Sequence, residues 1–384
     1  MEKVKILAVG IGGYANVWLK GLFESDRIDY EIVGAVDVYP QGSNYYNQLK
    51  DMSVPFYKEM EDFYTESQAD LAIITTPIHL HTRHILCALK HGSHVMCEKP
   101  LCGNSMDEKI ISEESMHANR FVMVGYQWSY SEAIQKLKQD ILSDSFGKAL
   151  SMKTAVFWPR SRDYFTRGSG WAGKLKATDG TVMNDSVANN AAAHYLHNML
   201  YLLGNQIDRS AEALSVESTL LRANNIENFD TAEIRFVSEN GCKCTFLATH
   251  TTEKVLDPIF EYCFEKGKVV FDEKDHRIIA LLKNGEEIDY GDPFENINHK
   301  IFLAIDNVKN NCLTNICGVK TAAAHVRCIE QVQRFPIYNV VTEALDEKDN
   351  TIFVKHLYDE MLACYQNDIK LKDSQYFDWW TVNG

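Results

Sequence analysis

The stretch Val4-Lys5-Ile6-Leu7-Ala8-Val9-Gly10-Ile11-Gly12-Gly13-Tyr14-Ala15 decides the first part of the fold. Its apolar run predicts a short strand, and its glycines predict a tight turn. A helical pattern follows, and a second apolar run over residues 31–36 then ends at Asp37. The order strand, glycine turn, helix, strand and acid is typical of a nucleotide-binding half-domain.

Each residue of this glycine turn meets a separate physical requirement of nucleotide binding. Gly10 permits the sharp turn, and Gly12 lets a pyrophosphate approach the backbone. Ala15 is small enough for the helix to pack closely on the strand. Exposed N–H groups at the start of the helix favour phosphates. An ordinary turn is the alternative, but the strands, the helix and the acid around it all favour nucleotide binding.

Asp37 predicts which dinucleotide binds. Its carboxylate can accept hydrogen bonds from both ribose hydroxyls, and its charge would repel a 2′-phosphate. No basic residue lies next to it in the sequence to reverse that effect. Asp37 therefore favours NAD over NADP.

The alternation of strands and helices continues beyond Asp37. Residues 69–75, 93–97 and 121–125 have the pattern of strands, and residues 79–91 and 105–119 that of helices. This order predicts a parallel, doubly wound sheet with its ligands at the carboxyl ends of the strands. That edge would hold Gly10, Gly12, Gly13, Tyr14, Ala15, Asp37, Thr75, Thr76, Pro77, Glu98, Lys99, Pro100, Tyr126 and Gln127.

Two further stretches carry a resemblance to a known family. They read Thr75-Thr76-Pro77-Ile78-His79-Leu80-His81 and Ala88-Leu89-Lys90-His91-Gly92-Ser93-His94-Val95-Met96-Cys97-Glu98-Lys99-Pro100-Leu101. With the glycine turn, they resemble the glucose–fructose oxidoreductase/inositol dehydrogenase (Gfo/Idh/MocA) family. The resemblance is strong over residues 4–127 and looser beyond, where residues 180–204 carry it.

The resemblance implies an α/β plus α+β architecture. An NAD(P)-binding Rossmann domain over residues 1–127 would precede a substrate-binding and oligomerisation domain over residues 128–384, built on a large, open, mostly antiparallel sheet. It also implies a homodimer or homotetramer formed through that sheet. Typical substrates in this family are sugars, cyclic polyols and their derivatives.

The resemblance also implies roles for single residues of the first domain. Lys99 would be the catalytic lysine, and the Lys99–Pro100 bond would be cis. Thr76, Pro77, His79 and Glu98 would contact the nicotinamide or its ribose.

The sequence pattern changes from residue 151. Apolar runs at residues 152–158, 231–237, 242–249, 259–264, 268–271 and 277–282 have the pattern of strands. Short turns such as Asn240-Gly241 and Asn284-Gly285 predict antiparallel hairpins between them. The aromatic run at residues 377–380 would be costly to expose, so we expect it to dock against this chain or a neighbouring subunit.

A polar segment between the first two of these strands carries the second set of candidates. The family places an aspartate four residues before a histidine here, and His194 takes the histidine position. Asn190 stands where the aspartate is expected, and Asp185 lies further upstream. Either Asn190 replaces the carboxylate, or the loop returns Asp185 to the site.

The other substrate-binding candidates have simpler alternatives. Arg160 and Lys174 offer positive charge, although Arg160 is as consistent with a solvated side chain. Trp171 suits the C–H face of a sugar ring, or core packing. Asn189, like Asn190, could meet a hydroxylated ligand, because buried amides need partners.

A metal centre is not predicted. His194 and His197 lie three residues apart on a helical pattern, but no third ligand has suitable spacing. We interpret His197 as a core histidine. The ten cysteines show no framework of pairs, which favours a reducing, cytoplasmic environment over zinc or disulfides.

The formal net charge of −14 argues against binding to nucleic acid or to an anionic membrane surface. The hypothesis is an NAD(P)-dependent dehydrogenase that acts on a secondary alcohol of a sugar or polyol, with Lys99, His194 and Asp185 as catalytic residues. An NAD-dependent glycosidase on the same scaffold and a non-catalytic regulatory protein that senses a sugar or dinucleotide are the alternatives.

Overall fold

A computed structural model describes residues 3–168, 170–271 and 275–381. The chain divides into two compact units. The first contains residues 3–130 and 296–323, and the second contains the described residues of 131–295 and 324–381.

The first unit is built on a six-stranded parallel sheet with the strand order β3-β2-β1-β4-β5-β6. The strands are β1 Val4–Val9, β2 Tyr30–Val36, β3 Phe56–Tyr57, β4 Leu71–Ile74, β5 His94–Cys97 and β6 Val122–Val124. The helices between them are α1 Ala15–Phe23, α2 Tyr46–Asp51, α3 Met60–Glu66, α4 Ile78–Lys90 and α5 Ser105–Ala118. Every residue of β4 and β5 is buried, as expected for a sheet covered on both faces. The predicted doubly wound parallel sheet is confirmed.

The first unit also includes residues 296–323 from far along the chain. Their helix α9, His299–Lys309, packs against β1, β4 and β5. An ion pair between Arg27 and Asp306 (2.5 Å) attaches this helix near the start of β2. The sequence-based division after residue 127 placed residues 296–323 in the second domain. The local sequence pattern does not indicate that the chain packs against the first sheet again.

The second unit is built on a nine-stranded sheet with the order β14-β13-β12-β11-β7-β10-β9-β8-β15. Its strands are β7 Ala149–Phe157, β8 Ala213–Arg222, β9 Thr231–Ser238, β10 Lys243–Thr249, β11 Leu256–Phe264, β12 Gly267–Phe271, β13 Ile278–Leu282, β14 Glu287–Gly291 and β15 Ile337–Asn339. β10 pairs with β7, and β15 with β8, in parallel, and the other neighbours are antiparallel. The large, mostly antiparallel sheet is therefore confirmed. The sequence patterns missed β8, β14 and β15.

The remaining elements of this part of the chain are helices and one small hairpin. The helices are α6 Glu132–Leu142, α7 Arg162–Thr166, α8 Ala193–Leu203, α10 Val319–Val332, α11 Leu357–Asn367 and α12 Phe377–Trp380. The hairpin pairs β16 Leu345–Lys348 with β17 Thr351–Val354. Among the described residues, no helix combines the length and the apolar character needed to cross a bilayer.

One half of a face of the nine-stranded sheet is apolar and is covered by the C-terminal segment, residues 342–381. Phe157 and Leu247 on the sheet pack in one cluster with Met361 and Trp380 of that segment, and all four side chains are fully buried. The expected docking of the terminal aromatic run against its own chain is confirmed for Trp380.

Candidate functional site

The glycine turn after β1 needs glycine at its first position. Gly10 has φ +75°, and a Cβ there would lie 2.9 Å from Thr76 Cγ2 and 3.0 Å from the Thr75 carbonyl carbon. A Cβ at Gly12 or Gly13 would meet no described atom within 4 Å beyond the adjacent residues. The turn is therefore closed against β4 on one side and open on the other, which is the shape that a phosphate needs to reach the backbone.

Asp37 connects the end of β2 to this turn. One carboxylate oxygen accepts the backbone N–H of Ile11 (2.9 Å), and the other accepts that of Tyr39 (2.8 Å). Each oxygen keeps a second lone-pair direction. The carboxylate is thus held in place and can still accept hydrogen bonds from a ribose diol.

The residues after β4 are held by buried side chains. Trp18 of α1 donates its indole N–H to Thr75 Oγ1 (2.9 Å). His81 is fully buried, and its ring nitrogens lie 2.8 Å from the carbonyl oxygens of Thr76 and Pro100. Burial lowers the pKa of His81, so the neutral ring donates one N–H to one of these carbonyls at a time. His81 therefore connects the loop after β4 with the loop after β5.

The other predicted nicotinamide-side residues lie in these two loops. Pro77 and His79 are half-buried at the start of α4. Lys99 is half-buried after β5, and the Lys99–Pro100 peptide bond is cis, as the resemblance implied. All predicted cofactor-binding residues thus lie at the carboxyl edge of the six-stranded sheet.

Sequence reasoning missed a buried ion pair at this edge. Glu98, at the end of β5, pairs with the ammonium group of Lys300 on α9, and the Lys300 side chain is 1% exposed. Burial alone would lower the pKa of Lys300, but Glu98 and, to a smaller extent, Tyr14 together more than offset it, so that pKa is raised and the lysine stays charged. A Cβ at Gly125 would lie 2.8 Å from Glu98 Oε2, so a larger residue there would displace the Glu98 carboxylate.

Lys300 also approaches the glycine turn. Its ammonium nitrogen lies 4.9 Å from the centroid of the Tyr14 ring, within cation–π range. The Tyr14 hydroxyl donates to Gln127 Oε1 (3.3 Å). One signal for Lys300 was present in the sequence: it shares a helical face with Ile301, Ala304 and Ile305, and an unexplained lysine on an apolar face requires a buried partner.

In the second unit, the loop before α8 brings Asp185 and Asn190 together. Asn190 Nδ2 donates to one Asp185 oxygen (2.8 Å), and the Gly173 N–H donates to the other (2.5 Å). Asp185 is 2% exposed. The sequence left open whether Asn190 or Asp185 takes the position of the family carboxylate. In the structure these two residues are hydrogen-bonded to each other.

The other residues of this loop differ in how they are placed. Asn189 is buried, and its amide donates to the Met183 and Asn184 carbonyl oxygens, so the loop itself supplies the partners that we expected from a ligand. His194 is half-buried in the first turn of α8. His197 is buried and stacks on Tyr201, and burial holds its pKa well below the usual range.

The positively charged candidates lie beside aromatic rings. The Arg160 guanidinium lies 5.7 Å from the Trp158 ring centroid and 5.3 Å from that of Tyr164. Trp171 is half-buried, with the Arg167 guanidinium 5.1 Å from its ring. Lys174 follows Trp171 in the chain, and its carbonyl oxygen accepts the N–H of Asp185 (3.0 Å).

Comparisons with known proteins agree with this geometry. Residues 4–126 match the model of the oxidoreductase family with an NAD-binding Rossmann fold, Gfo/Idh/MocA. The chain is 26% identical over 153 residues to glucose-6-phosphate 3-dehydrogenase of Bacillus subtilis, covering 40% of this chain and 41% of that one. It is 27% identical over 125 residues to inositol 2-dehydrogenase of Burkholderia vietnamiensis, covering 32% and 37% of the two chains. The matches thus span about two fifths of these relatives.

Among solved structures, the fold is similar to that of the WlbA dehydrogenase from Bordetella pertussis, solved with NADH and UDP-GlcNAcA. The TM-score is 0.68 at 19% identity, over 87% of this chain and 96% of that one. The solved structure supports the fold, and the match to an NAD-binding oxidoreductase family is confined to residues 4–126 of the first unit. Over this part of the chain, the sequence is similar to the Gfo/Idh/MocA family.

Proposed function

We propose that the protein is an NAD-dependent dehydrogenase that acts on a secondary alcohol of a sugar, a polyol or a derivative of one. The observation that carries the proposal is the carboxyl edge of the first unit, where an open glycine turn, Asp37 and Lys99 lie in a domain that matches an NAD-binding oxidoreductase family. The names of the relatives support the substrate class, because the two matched enzymes act on glucose 6-phosphate and inositol.

The first unit fits a dinucleotide at that edge. The open side of the turn at Gly12 and Gly13 leaves room for a pyrophosphate, and Asp37 presents fixed oxygens to a ribose. When bound, the nicotinamide would accept or donate the hydride. The buried Glu98–Lys300 pair holds the end of β5, and with it the backbone that carries Lys99.

Two groups are proposed to move the hydroxyl proton of the substrate. We assign Lys99 of the first unit to polarise the reacting oxygen or relay its proton, and His194 of the second unit to act as the base. An imidazole suits this step because it titrates near neutral pH. Asp185 acts through Asn190 as a positioning residue, since its carboxylate accepts the Asn190 amide.

The test of this function is absorbance at 340 nm after mixing the protein with NAD and a panel of sugars and polyols. We expect NADH to form with at least one member. Hydrolysis of glycosides without net NADH would instead indicate the glycosidase alternative. No turnover of either kind, with NAD bound, would indicate a sensor and contradict the dehydrogenase proposal.

The preference for NAD has its own test. NADP should bind more weakly, because the Asp37 carboxylate would face a 2′-phosphate. An Asp37→Ser variant should lose most of that preference in a dinucleotide titration. Equal affinity of the unmodified protein for NAD and NADP would contradict this assignment.

We also propose that the chain forms a homodimer or homotetramer through the nine-stranded sheet. The C-terminal segment covers the apolar half of one face. The same face continues into a polar half that carries ion pairs such as Lys370–Glu217 (2.6 Å) and Lys268–Glu261 (2.9 Å). Light scattering after size exclusion at low and high salt tests this, and a monomer at every concentration would contradict it.

A further inference from the structure

Two arginines of the second unit approach the same aromatic ring. The guanidinium carbon of Arg160, just after β7, lies 5.3 Å from the centroid of the Tyr164 ring. That of Arg167, just after α7, lies 3.7 Å from the same centroid. Trp158 and Trp171 extend the aromatic surface on which the two side chains rest. Two positive charges are thus concentrated around one tyrosine in a chain whose net charge is −14.

Neither arginine has a carboxylate partner among the described ion pairs. Arg162, in the same segment, does have one, because its guanidinium pairs with Glu347 at 2.7 Å. The buried carboxylate of Asp185 accepts hydrogen bonds from the Gly173 N–H and the Asn190 amide. The Nε atom of Arg160 is buried and has no hydrogen-bond partner within the described structure.

A buried histidine lies close to the two arginines. The His250 ring is buried 5.5 Å from the Tyr164 ring, and one of its nitrogens lies 2.8 Å from the Trp158 carbonyl oxygen. Burial, with smaller contributions from Arg160 and Arg167, lowers the pKa of His250 to about 3. The histidine is therefore neutral near pH 7 and adds no third positive charge.

Contact with an aromatic ring can orient a guanidinium group so that it binds an oxyanion. An arginine that lies on an aromatic ring is held in one plane, and its N–H groups point outward in that plane. Two oxygens of a phosphate or carboxylate match this fork. Arg167 is exposed and Arg160 is half-buried, so the pair can be reached from solvent.

We propose that Arg160 and Arg167 form an oxyanion subsite that binds the phosphate or carboxylate group of an acidic sugar. This inference rests on the proposed function and narrows its substrate class from sugars in general to sugars with an anionic substituent. Tyr164 lies within cation–π range of both guanidinium groups, and Trp158 and Trp171 within range of one each. Asp185, Asn190 and the candidate base His194 lie in the same unit as the two arginines.

The test compares glucose, glucose 6-phosphate, glucuronate and inorganic phosphate by calorimetry on the NAD-saturated protein. We expect at least one anionic ligand to bind at least about tenfold more tightly than glucose. The phosphate and glucuronate arms distinguish a phosphate site from a carboxylate site. Equal binding of glucose and the anionic probes, or no binding of any anionic probe, would overturn the proposal.

Variants of single arginines test which residues cause the preference for anionic ligands. Arg167→Met and Arg160→Met should lower the affinity for the anionic sugar about 10- to 100-fold and leave NAD affinity unchanged. Arg162→Met is the control, because its charge is already paired, and it should change neither affinity. Retention of the anionic preference in Arg167→Met, which alters an exposed residue and should fold, would contradict the assignment.

The rate of NAD reduction distinguishes the oxyanion-subsite proposal from the broader dehydrogenase proposal. If neutral and anionic sugars reduce NAD equally well, the subsite is wrong and the dehydrogenase proposal stands. If no sugar reduces NAD, the dehydrogenase proposal fails, and the calorimetric comparison of Arg167→Met with Arg162→Met still decides whether the oxyanion subsite exists.

Discussion

The two units position their candidate residues in different ways. In the first, the candidates follow strand ends, and buried groups such as His81 and the Glu98–Lys300 pair fix their backbone. In the second, Asp185, Asn189 and Asn190 lie on an irregular loop and bond mainly within it, as Asp185 does to Asn190. The first arrangement couples the site to the stability of the unit. The second lets the site vary at less cost to the fold.

The largest expected effect is at the buried ion pair of the first unit. Lys300→Met leaves the Glu98 carboxylate buried without its cation, and should lower the free energy of unfolding by about 3–5 kcal/mol. The double variant Glu98→Gln/Lys300→Met should recover much of that loss. Urea denaturation measures both.

The control for this variant is Lys20→Met, which removes an exposed ion pair with Glu24 and should cost less than about 1 kcal/mol. Equal losses in Lys300→Met and Lys20→Met would show that the buried pair does not stabilise the first unit.

Two glycines of the turn should separate folding from binding. Gly10→Ala should destabilise the protein by about 2–3 kcal/mol, because its Cβ would crowd Thr76 and its φ is positive. Gly12→Ala should fold normally and lose NAD affinity, because its Cβ would enter the open side of the turn. Thermal melting and NAD titration of both variants measure this. Unchanged NAD affinity in Gly12→Ala would contradict the proposed phosphate site.

Acid should destabilise the protein through its buried histidines. Burial lowers the pKa values of His84 and His94 to about 4. Both rings are neutral in the folded state, so their stability contribution is present above pH 6.5 and is lost as the pH falls from 6.5 to 4. The loss should be about 2 kcal/mol per histidine, allowing for solvent screening.

His94→Gln tests this pH dependence. The His94 ring accepts the Phe121 N–H (3.1 Å), which a glutamine oxygen can also do without titrating. Urea denaturation at pH 7, 6 and 5 should show a shallower decline for this variant. The exposed His117→Gln serves as control and should decline as the unmodified protein does. Parallel declines in all three proteins would contradict the role of His94.

The smallest stability effect is expected in the loop of the second unit. Asn190→Ala removes one hydrogen bond to Asp185 and should cost about 1 kcal/mol of stability while lowering kcat at least about tenfold. Asn189→Ala loses bonds within the loop and should lower stability without a selective effect on kcat. Denaturation and steady-state kinetics of both variants distinguish these roles. If Asn189→Ala lowered kcat and Asn190→Ala lowered only stability, the roles assigned to the two asparagines would be wrong.

The same contrast explains what the sequence could predict. The glycine turn and Asp37 belong to local patterns whose geometry follows from residue type, and the cis bond after Lys99 was implied by the family resemblance. Lys300 was missed because its partner Glu98 lies 202 residues away, and only tertiary packing brings α9 back to the first sheet. The fit of Asp185 with Asn190 depends on an irregular loop, in which neither a helical nor a strand period fixes the spacing.

The central claim is that Lys99 takes part in a nicotinamide-dependent oxidation, and rapid mixing of a Lys99→Met variant with NAD and the best substrate tests it most directly. The account predicts that NAD affinity is kept while NADH formation slows by about 10²- to 10⁴-fold. Lys90→Met, which alters an exposed lysine at the end of α4, should keep the unmodified rate. A Lys99→Met variant that forms NADH as fast as Lys90→Met would contradict the account.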